Sequence, residues 1–536
     1  MTTDALPAQA PDALEPPAAA PTRPSLGASA LAGLVAAGVA LAVGELVAAF
    51  VPGAASPMVA VGTAVIDLAP PGSKEVFVAL FGINDKTALN LIVAAAVLLA
   101  GAGIGLLARR SSLLASLAIV ALVGVGALAA LRDPTGSALN IVLSAAFQVA
   151  AGLLVLELLI DAARPRPGAA TRPGAADASR RGFLVRAGIL GALAFIGHTI
   201  GRSMLDNRAA NAAIAGVTIP GTVDPAPSIA ADNGFDIEGI TPLVIANDDF
   251  YRIDTALVTP TVDVATWSLR VFGMVDREVT LTFDELVSLP LIERFVTIAC
   301  VSNEVGGDLI GNAKWTGVRL TDVLELAGVQ SGATQIVPRS VDGWAAGFPT
   351  EWVTAPDQPR DAMIAVKMND EPLPVAHGFP ARLIVPGLYG YVSATKWLKE
   401  IELTTWEAFD SYWVPRGWSK TAPVLTQSRI DLPKREAQHR VGDVIQVAGV
   451  AWAMDRGVSR VEIRVDEGEW QPATLATPIG PQTWVQWRFA WKADAAGRHT
   501  FWVRATDGAG VPQEERITRP DPDGARGYHS VPVQVD

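Results

Sequence analysis

Residues 295–320 read FVTIACVSNEVGGDLIGNAKWTGVRL and hold the chain's only cysteine, Cys300, between a β-rich run and a glycine-punctuated loop. A single cysteine in 536 residues excludes an intrachain disulfide, a CxxCH haem attachment, and any all-cysteine zinc or iron–sulfur site built by this chain alone. Cys300 is therefore either a small buried apolar group or a lone metal ligand. Around it, short β-rich runs such as WSLRVFGMV (267–275) and ARLIVPG (381–387) alternate with an amphipathic stretch, LTDVLELAGV (320–329). That texture predicts an α+β domain over residues 239–410. After Trp418 it changes to short alternating strands, among them DVIQVAGVAW (443–452), SRVEIRVD (459–466), TWVQWRFAW (483–491) and HTFWVRATD (499–507). These predict a β-sandwich over 420–536.

The other direction along the chain leads to membrane. Mean hydropathy is +0.32, concentrated in four apolar runs at about residues 27–51, 88–108, 112–131 and 137–160. Each approaches the ~20 residues a bilayer requires. Residues 1–25 are expected to be a disordered N-terminus, 26–162 a four-helix transmembrane region, and Glu45 an interfacial residue. Arg109 and Arg110 lie between the second and third runs, and Arg164, Arg166, Arg172, Arg180 and Arg181 follow the fourth. Arginine marks cytoplasmic segments, so these stretches and the N-terminus are expected in the cytoplasm, with 163–178 a cytoplasmic linker. Net charge is −12 with no long basic cluster in the soluble half, which argues against nucleic acid as a partner.

Residues 179–184, SRRGFL, precede a moderately apolar run from Ala187 to about Ile200. The arginine pair reads as a twin-arginine-like export signal or as stop-transfer charges before an ordinary fifth span. Either way, the chain after residue 201 is expected outside the cytoplasmic membrane. No clear small-residue cleavage site follows Ile200, so 179–203 is expected to remain as an anchor. Residues 204–238, rich in Ala, Pro, Gly and Asp, read as a linker.

Four segments together carry a family resemblance: NDDFYRID (247–254), TIACVSNEVGG (297–307), KWTGVRL (314–320), and MNDEPLPVAHGFPARLIVPGLYGYVSATKWLKEIEL (368–403). The chain resembles the sulfite oxidase family of molybdenum-cofactor oxidoreductases from Asn247 onward, and residues 420–536 resemble that family's immunoglobulin-like dimerisation domain. The resemblance implies a molybdenum–molybdopterin cofactor with Cys300 as the protein's thiolate ligand to the metal, a soft donor suited to it. It also implies cofactor contacts from Asn247, Arg252, His377, Arg382, Ser393, Thr395 and Lys396, with Gly387 and Gly390 letting backbone approach the phosphate. Arg252 and Trp344 join Cys300 as candidate catalytic residues. The implied reaction is two-electron oxygen-atom transfer to or from a small oxo-substrate.

The sequence departs from the oxidase pattern in two places. Glu304 and Asp308 follow the cysteine where that branch carries anion-binding arginines, and Trp344 stands where an active-site tyrosine is common. These departures favour a weakly charged substrate, such as a sulfoxide-type compound, over sulfite. Sulfite oxidation and a non-catalytic membrane-tethered binding module stay open as alternatives. No haem or iron–sulfur cluster is expected in this chain, and His198 in the fifth helix reads as filler. Electrons are then expected to pass to or from an external cytochrome or quinone-linked membrane protein, with a homodimer possible through the C-terminal domain.

Overall fold

The computed structural model describes residues 23–536 apart from 71–72, 74–76, 78–79, 82–84, 135, 165–174, 212–213, 215–216 and 356–359. Residues 1–22 of the N-terminus expected to be disordered over 1–25, and much of the 163–178 linker, with Arg166 and Arg172, lie outside the described residues.

The chain divides into two compact units. The first holds Met1–Gly62, Thr87–Leu131 and Ser137–Arg202. Its helices are α1 (Leu26–Phe50), the start of α2 (Pro57–Leu68), α3 (Asp85–Ala108) from Thr87 on, α4 (Ser112–Ala130), α5 (Ala138–Ala163), and α6 (Ala175–Asn211) as far as Arg202. Among the described residues, five helices are long and apolar enough to cross a membrane: α1, α3, α4, α5, and the Arg180–Leu205 part of α6. They enclose a core of Ala32, Ala36, Ile119, Val155, Leu159 and Phe183, while leucines such as Leu99, Leu128 and Leu139 face outward. Gly33 of α1 lies so close to Gly101 and Gly105 of α3 that a Cβ there would meet backbone. Small residues of this kind let apolar helices pack with their backbones close together. Glu45, expected at an interface, is fully enclosed by protein.

The second unit holds Thr63–Lys86, Arg132–Gly136 and Ser203–Asp536. α6 runs past the expected linker start at residue 204. Strands numbered in chain order then form two sheets in the central region. One is β3 (Leu291–Ala299), β4 (Ile310–Arg319), β7 (Met363–Met368) and β8 (Glu371–Pro372), with β9 (Arg382–Ile384) pairing β7. The other runs β2 (Val279–Thr282), β1 (Ser268–Gly273), β10 (Leu398–Thr404), β5 (Gln335–Ser340), β6 (Phe348–Pro349). Helices α7 (Phe283–Val287) and α8 (Leu320–Ala327) join the shared core through Leu286, Val323 and Leu324. The mix of mainly antiparallel sheets and separate helices is the expected α+β texture.

The C-terminal region is β-rich, as the alternating runs predict. β11 (Gln427–Leu432), β13 (Val444–Trp452), β17 (Val485–Lys492) and β16 (Thr474–Leu475) form one sheet. β12 (Ala437–His439), β19 (His529–Val535), β18 (Gly497–Asp507), β14 (Val458–Val465) and β15 (Gln471–Pro472) form the other. Both contribute to one core around Val447, Trp487, Phe501 and Val533. Trp484 belongs instead to the central core, and its indole donates to the Leu243 carbonyl at 2.9 Å.

Candidate functional site

Cys300 directly follows β3, and the ten-residue β4 pairs with β3 so that Ala299 lies opposite Ile310. The intervening loop closes on itself: Cys300 N–H donates to the Leu309 carbonyl at 2.9 Å, and Leu309 N–H donates to Asn303 Oδ1 at 2.9 Å. The thiol is buried, and burial pushes its pKa up against the opposing pull of Ser302, whose Oγ lies 2.8 Å from Sγ.

Gly390 joins this strand end to the loop PGLYGYVSATK. A Cβ there would stand 3.5 Å from the Ala299 carbonyl oxygen and 3.7 Å from the Tyr251 hydroxyl. Burial, then the neighbouring Cys300, hold that tyrosine protonated far above the usual range. Phe250 stacks on Tyr251 at 5.3 Å and meets Trp315 and His377 edge-on at 5.9 and 5.7 Å.

His377, Arg382 and Thr395 converge behind these rings. His377 Nε2 donates to the Asn247 carbonyl at 2.9 Å, which leaves Nδ1 as an acceptor. Burial, with Arg382 and Lys396 nearby, lowers its pKa to about 4, so the ring is neutral. Arg382 donates from Nη1 to the His377 carbonyl at 3.0 Å and from Nη2 to the Ala394 carbonyl at 3.2 Å. Burial lowers its pKa to about 10. His377 Nδ1, Arg382 Nε and Thr395 Oγ1 are all buried and have no hydrogen-bond partner among the described residues. Stranding one buried polar group costs roughly 1–3 kcal/mol, so three at one place fit a cradle for a polar ligand.

A cation cluster lies beside it. Asp254 Oδ2 accepts from Arg252 Nε at 2.9 Å and Lys396 Nζ at 3.2 Å, and its Oδ1 from Lys86 Nζ at 2.8 Å. Burial alone would raise the carboxyl pKa, but Lys396, Lys86 and Arg252 together hold it below the usual range. Burial lowers Lys396 to about 8 although Asp254 opposes the shift. Three cations around one carboxylate leave an excess of two positive charges, the complement of a phosphate monoester dianion.

The remaining expected residues lie differently. Asn247 spends its side chain on the protein: Nδ2 donates to Met368 O and Glu371 Oε2, and Oδ1 accepts from Asn369. The Ser393 hydroxyl donates to the carbonyls of Leu388 and Tyr389. Gly387 has φ +84, and its missing Cβ leaves room for the Asp455 carboxylate. Trp344 sits in an aromatic cluster with Tyr412 and Trp413, at 5.7 and 6.5 Å between ring centroids. Glu304 and Asp308 are exposed, whereas Cys300 is buried. Sequence reasoning missed Tyr251, Asp254, Lys86 and Ser302. The first two lie inside the quoted segment NDDFYRID, which was the available signal.

Comparison with known proteins gives the family. The family described as oxidoreductase molybdopterin binding domain matches residues 256–413. The uncharacterized oxidoreductase YuiH of Bacillus subtilis (strain 168) is 34% identical over 156 residues, covering 29% of this chain and 74% of that protein. The chain belongs to the sulfite oxidase family of molybdopterin-dependent oxidoreductases.

Within that family, mitochondrial sulfite oxidase of Homo sapiens is 30% identical over 295 residues, covering 48% of this chain and 52% of that protein. Nitrate reductase [NADH] 1 of Oryza sativa subsp. japonica is 27% identical over 320 residues, covering 48% of this chain and 34% of that protein. The chain thus spans about half the length of the sulfite oxidases it matches. Membership of this oxidoreductase family makes the chain an enzyme and implies a molybdenum cofactor.

Proposed function

We propose that the chain is a membrane-anchored oxidoreductase that exchanges one oxygen atom and two electrons with a small oxo-substrate at a molybdenum–pterin group. The observation that carries this reading is the set of three buried atoms without a partner among the described residues, His377 Nδ1, Arg382 Nε and Thr395 Oγ1, with Tyr251 within electrostatic reach of both Arg382 and Cys300. When bound, that group supplies the oxygen-atom exchange. Cys300 Sγ would ligate the metal and would have to release its proton to do so, with the Ser302 hydroxyl 2.8 Å away as donor to the thiolate. Tyr251, held protonated, offers the phenolic donor that Trp344 lacks. Arg252, Lys396 and Lys86 would hold the phosphate, with Asp254 fixing their positions.

The preferred substrate is a weakly charged sulfoxide-type compound. Arg382 spends both terminal nitrogens on carbonyls, and Arg252 spends Nε and Nη2 on Asp254 and Thr259. Sulfite is the second reading, favoured by the exposure of Glu304 and Asp308: charges in water are screened within about 10 Å at moderate salt. Relatives named for sulfite and for nitrate give family membership no fixed substrate. Initial rates of sulfite oxidation and of dialkyl sulfoxide reduction, on one metal-loaded preparation, decide between them. Sulfite turnover with no sulfoxide reduction overturns the preference.

The five span-length helices among the described residues support a multi-pass anchor. The catalytic domain is placed on the extracytoplasmic side, a reading supported by the grouping of Thr63–Lys86 and Arg132–Gly136 with residues after 203. Those two stretches join α2 to α3 and α4 to α5, and alternating spans would put both on that side. An external electron donor or acceptor completes the cycle. Residues 420–536 are read as an immunoglobulin-like domain through which two copies pair.

A further inference from the structure

Helices α1 and α6 come together at Glu45, in the unit that holds the apolar helices. Glu45 is fully buried. Its Oε1 accepts from the Ser56 hydroxyl at 2.7 Å and from Met58 N–H at 3.3 Å, which caps the start of α2, and its Oε2 is buried with no partner among the described residues. On α6, His198, Gly201 and Arg202 are spaced i, i+3 and i+4 and so share one face. A Cβ added at Gly201 would stand 3.0 to 3.1 Å from Glu45 backbone and Cβ atoms, so that face lies against Glu45. His198 is within electrostatic reach of both Glu45 and Arg202. Its Nδ1 and Arg202 Nη1 are also buried without a partner among the described residues.

A structural ion pair would close these open atoms on one another. Here a carboxylate oxygen, an imidazole nitrogen and a guanidinium nitrogen each stay open in apolar helices, where unpaired polar groups are costly and mark ligand sites. A ligand reaching that depth must dissolve in lipid, and it must both accept from arginine and exchange protons with carboxylate and imidazole. We infer that Glu45, His198 and Arg202 bind the dione headgroup of a lipid-soluble quinone. This inference rests on the two-electron reading above.

The chemistry balances. Adding one oxygen atom from water to the substrate releases two electrons and two protons, and a quinone takes up two electrons and two protons to become a quinol. Substrate reduction runs both halves backward. Arg202 donates to a quinone carbonyl oxygen, while Glu45 and His198 pass or take the protons that convert carbonyl to hydroxyl. His198, which reads as filler in the sequence, then has a role.

The test uses the full, metal-loaded chain in lipid nanodiscs with decyl-ubiquinone as probe. Binding is read from quinone retained after buffer exchange, and turnover is read with quinone and, separately, with water-soluble ferricyanide. Glu45→Gln and His198→Leu are expected to lower quinone retention and quinone-linked turnover at least tenfold and to leave ferricyanide turnover unchanged. Arg202→Met keeps both Glu45 bonds to the α2 start, and the same selective loss is expected of it. Wild-type protein that retains no quinone, or variants that retain it like wild type, overturn the inference. Quinone retention that Glu45→Gln abolishes supports the site even if ferricyanide turnover is nil, an outcome that sinks the catalytic reading alone.

Discussion

Arg429 donates from Nη1 to the carbonyl of Gly307 at 2.8 Å, so strand β11 of the C-terminal region grips the loop that leaves Cys300. The same guanidinium donates from Nε to Asp431 Oδ1 at 2.7 Å and from Nη2 to Thr241 Oγ1 at 2.7 Å. The His529 ring fills the space left by the missing Cβ of Gly306, and its Nδ1 accepts from Ile430 N–H at 3.0 Å. Gly306 has φ +78, in the left-handed region, so a side chain there is disfavoured by both backbone and neighbour. The C-terminal strands thereby hold the segment that positions the sulfur.

Arg429→Met removes three hydrogen bonds at once and leaves the Asp431 carboxylate, only 6% exposed, without its cation. Breaking one side of a buried pair costs about 3–5 kcal/mol. The expected result is a lower thermal midpoint together with a fall in kcat larger than any rise in KM. Arg429→Lys recovers part of the midpoint. An unchanged midpoint and kcat in Arg429→Met would remove the clamp from the account.

Acid should weaken the fold above the carboxylate range. Burial, with nearby Arg382 and Lys396, lowers His377 to about 4, and burial, with Arg429, lowers His529 to about 4. Below pH 6.5 the unfolded chain takes up protons that the native rings refuse. Stability present above pH 6.5 is therefore lost as pH falls toward 4, by about 3 kcal/mol per histidine. Thermal midpoints at pH 7, 5.5 and 4.5 measure the slope, and His529→Gln should flatten it. Equal slopes in wild type and variant contradict the assignment.

The central site was legible where chemistry and local motif coincide. His377, Arg382, Thr395 and Lys396 share one segment, 368–403, whose turn glycines and cations are visible in the sequence, and Cys300 and Arg382 both act on Tyr251. Tyr251 and Asp254 were less legible: their importance comes from neighbours some 50 and 140 residues away, Cys300 and Lys396, and spacing along a strand does not report that. Ser393 is the converse case, since its hydroxyl turns back onto Leu388 and Tyr389, a local choice that its type does not announce. Arg429 and His529 reach the cysteine loop from strands that alternation alone identifies only as strands.

Charge near the loop should matter little. Glu304 and Asp308 are exposed, and exposed charges interact weakly through water. Glu304→Gln combined with Asp308→Asn is expected to change kcat/KM for an anionic substrate less than tenfold at physiological salt. A larger gain, shrinking as salt rises, would mean that the acids do repel anions at the site.

The arginine pair at the start of α6 has its own test. An export receptor that reads Arg180–Arg181 as arginines, rather than as charge, should fail with Arg180→Lys and Arg181→Lys together. The region after residue 204 then becomes resistant to protease added to spheroplasts. Cleavage at the wild-type rate would assign the helix to ordinary insertion.

The most direct measurement is the molybdenum and pterin content of the purified full chain, taken beside Cys300→Ser and Arg382→Met. One molybdenum and one pterin per chain are expected in wild type. Cys300→Ser should keep the pterin, held by the cradle of His377, Arg382, Thr395 and the cation cluster, and lose turnover because a hydroxyl replaces the soft thiolate. Arg382→Met should lose pterin itself. Wild-type protein free of both molybdenum and pterin after expression in a host that makes the cofactor, or fully loaded Cys300→Ser turning over like wild type, would contradict the account.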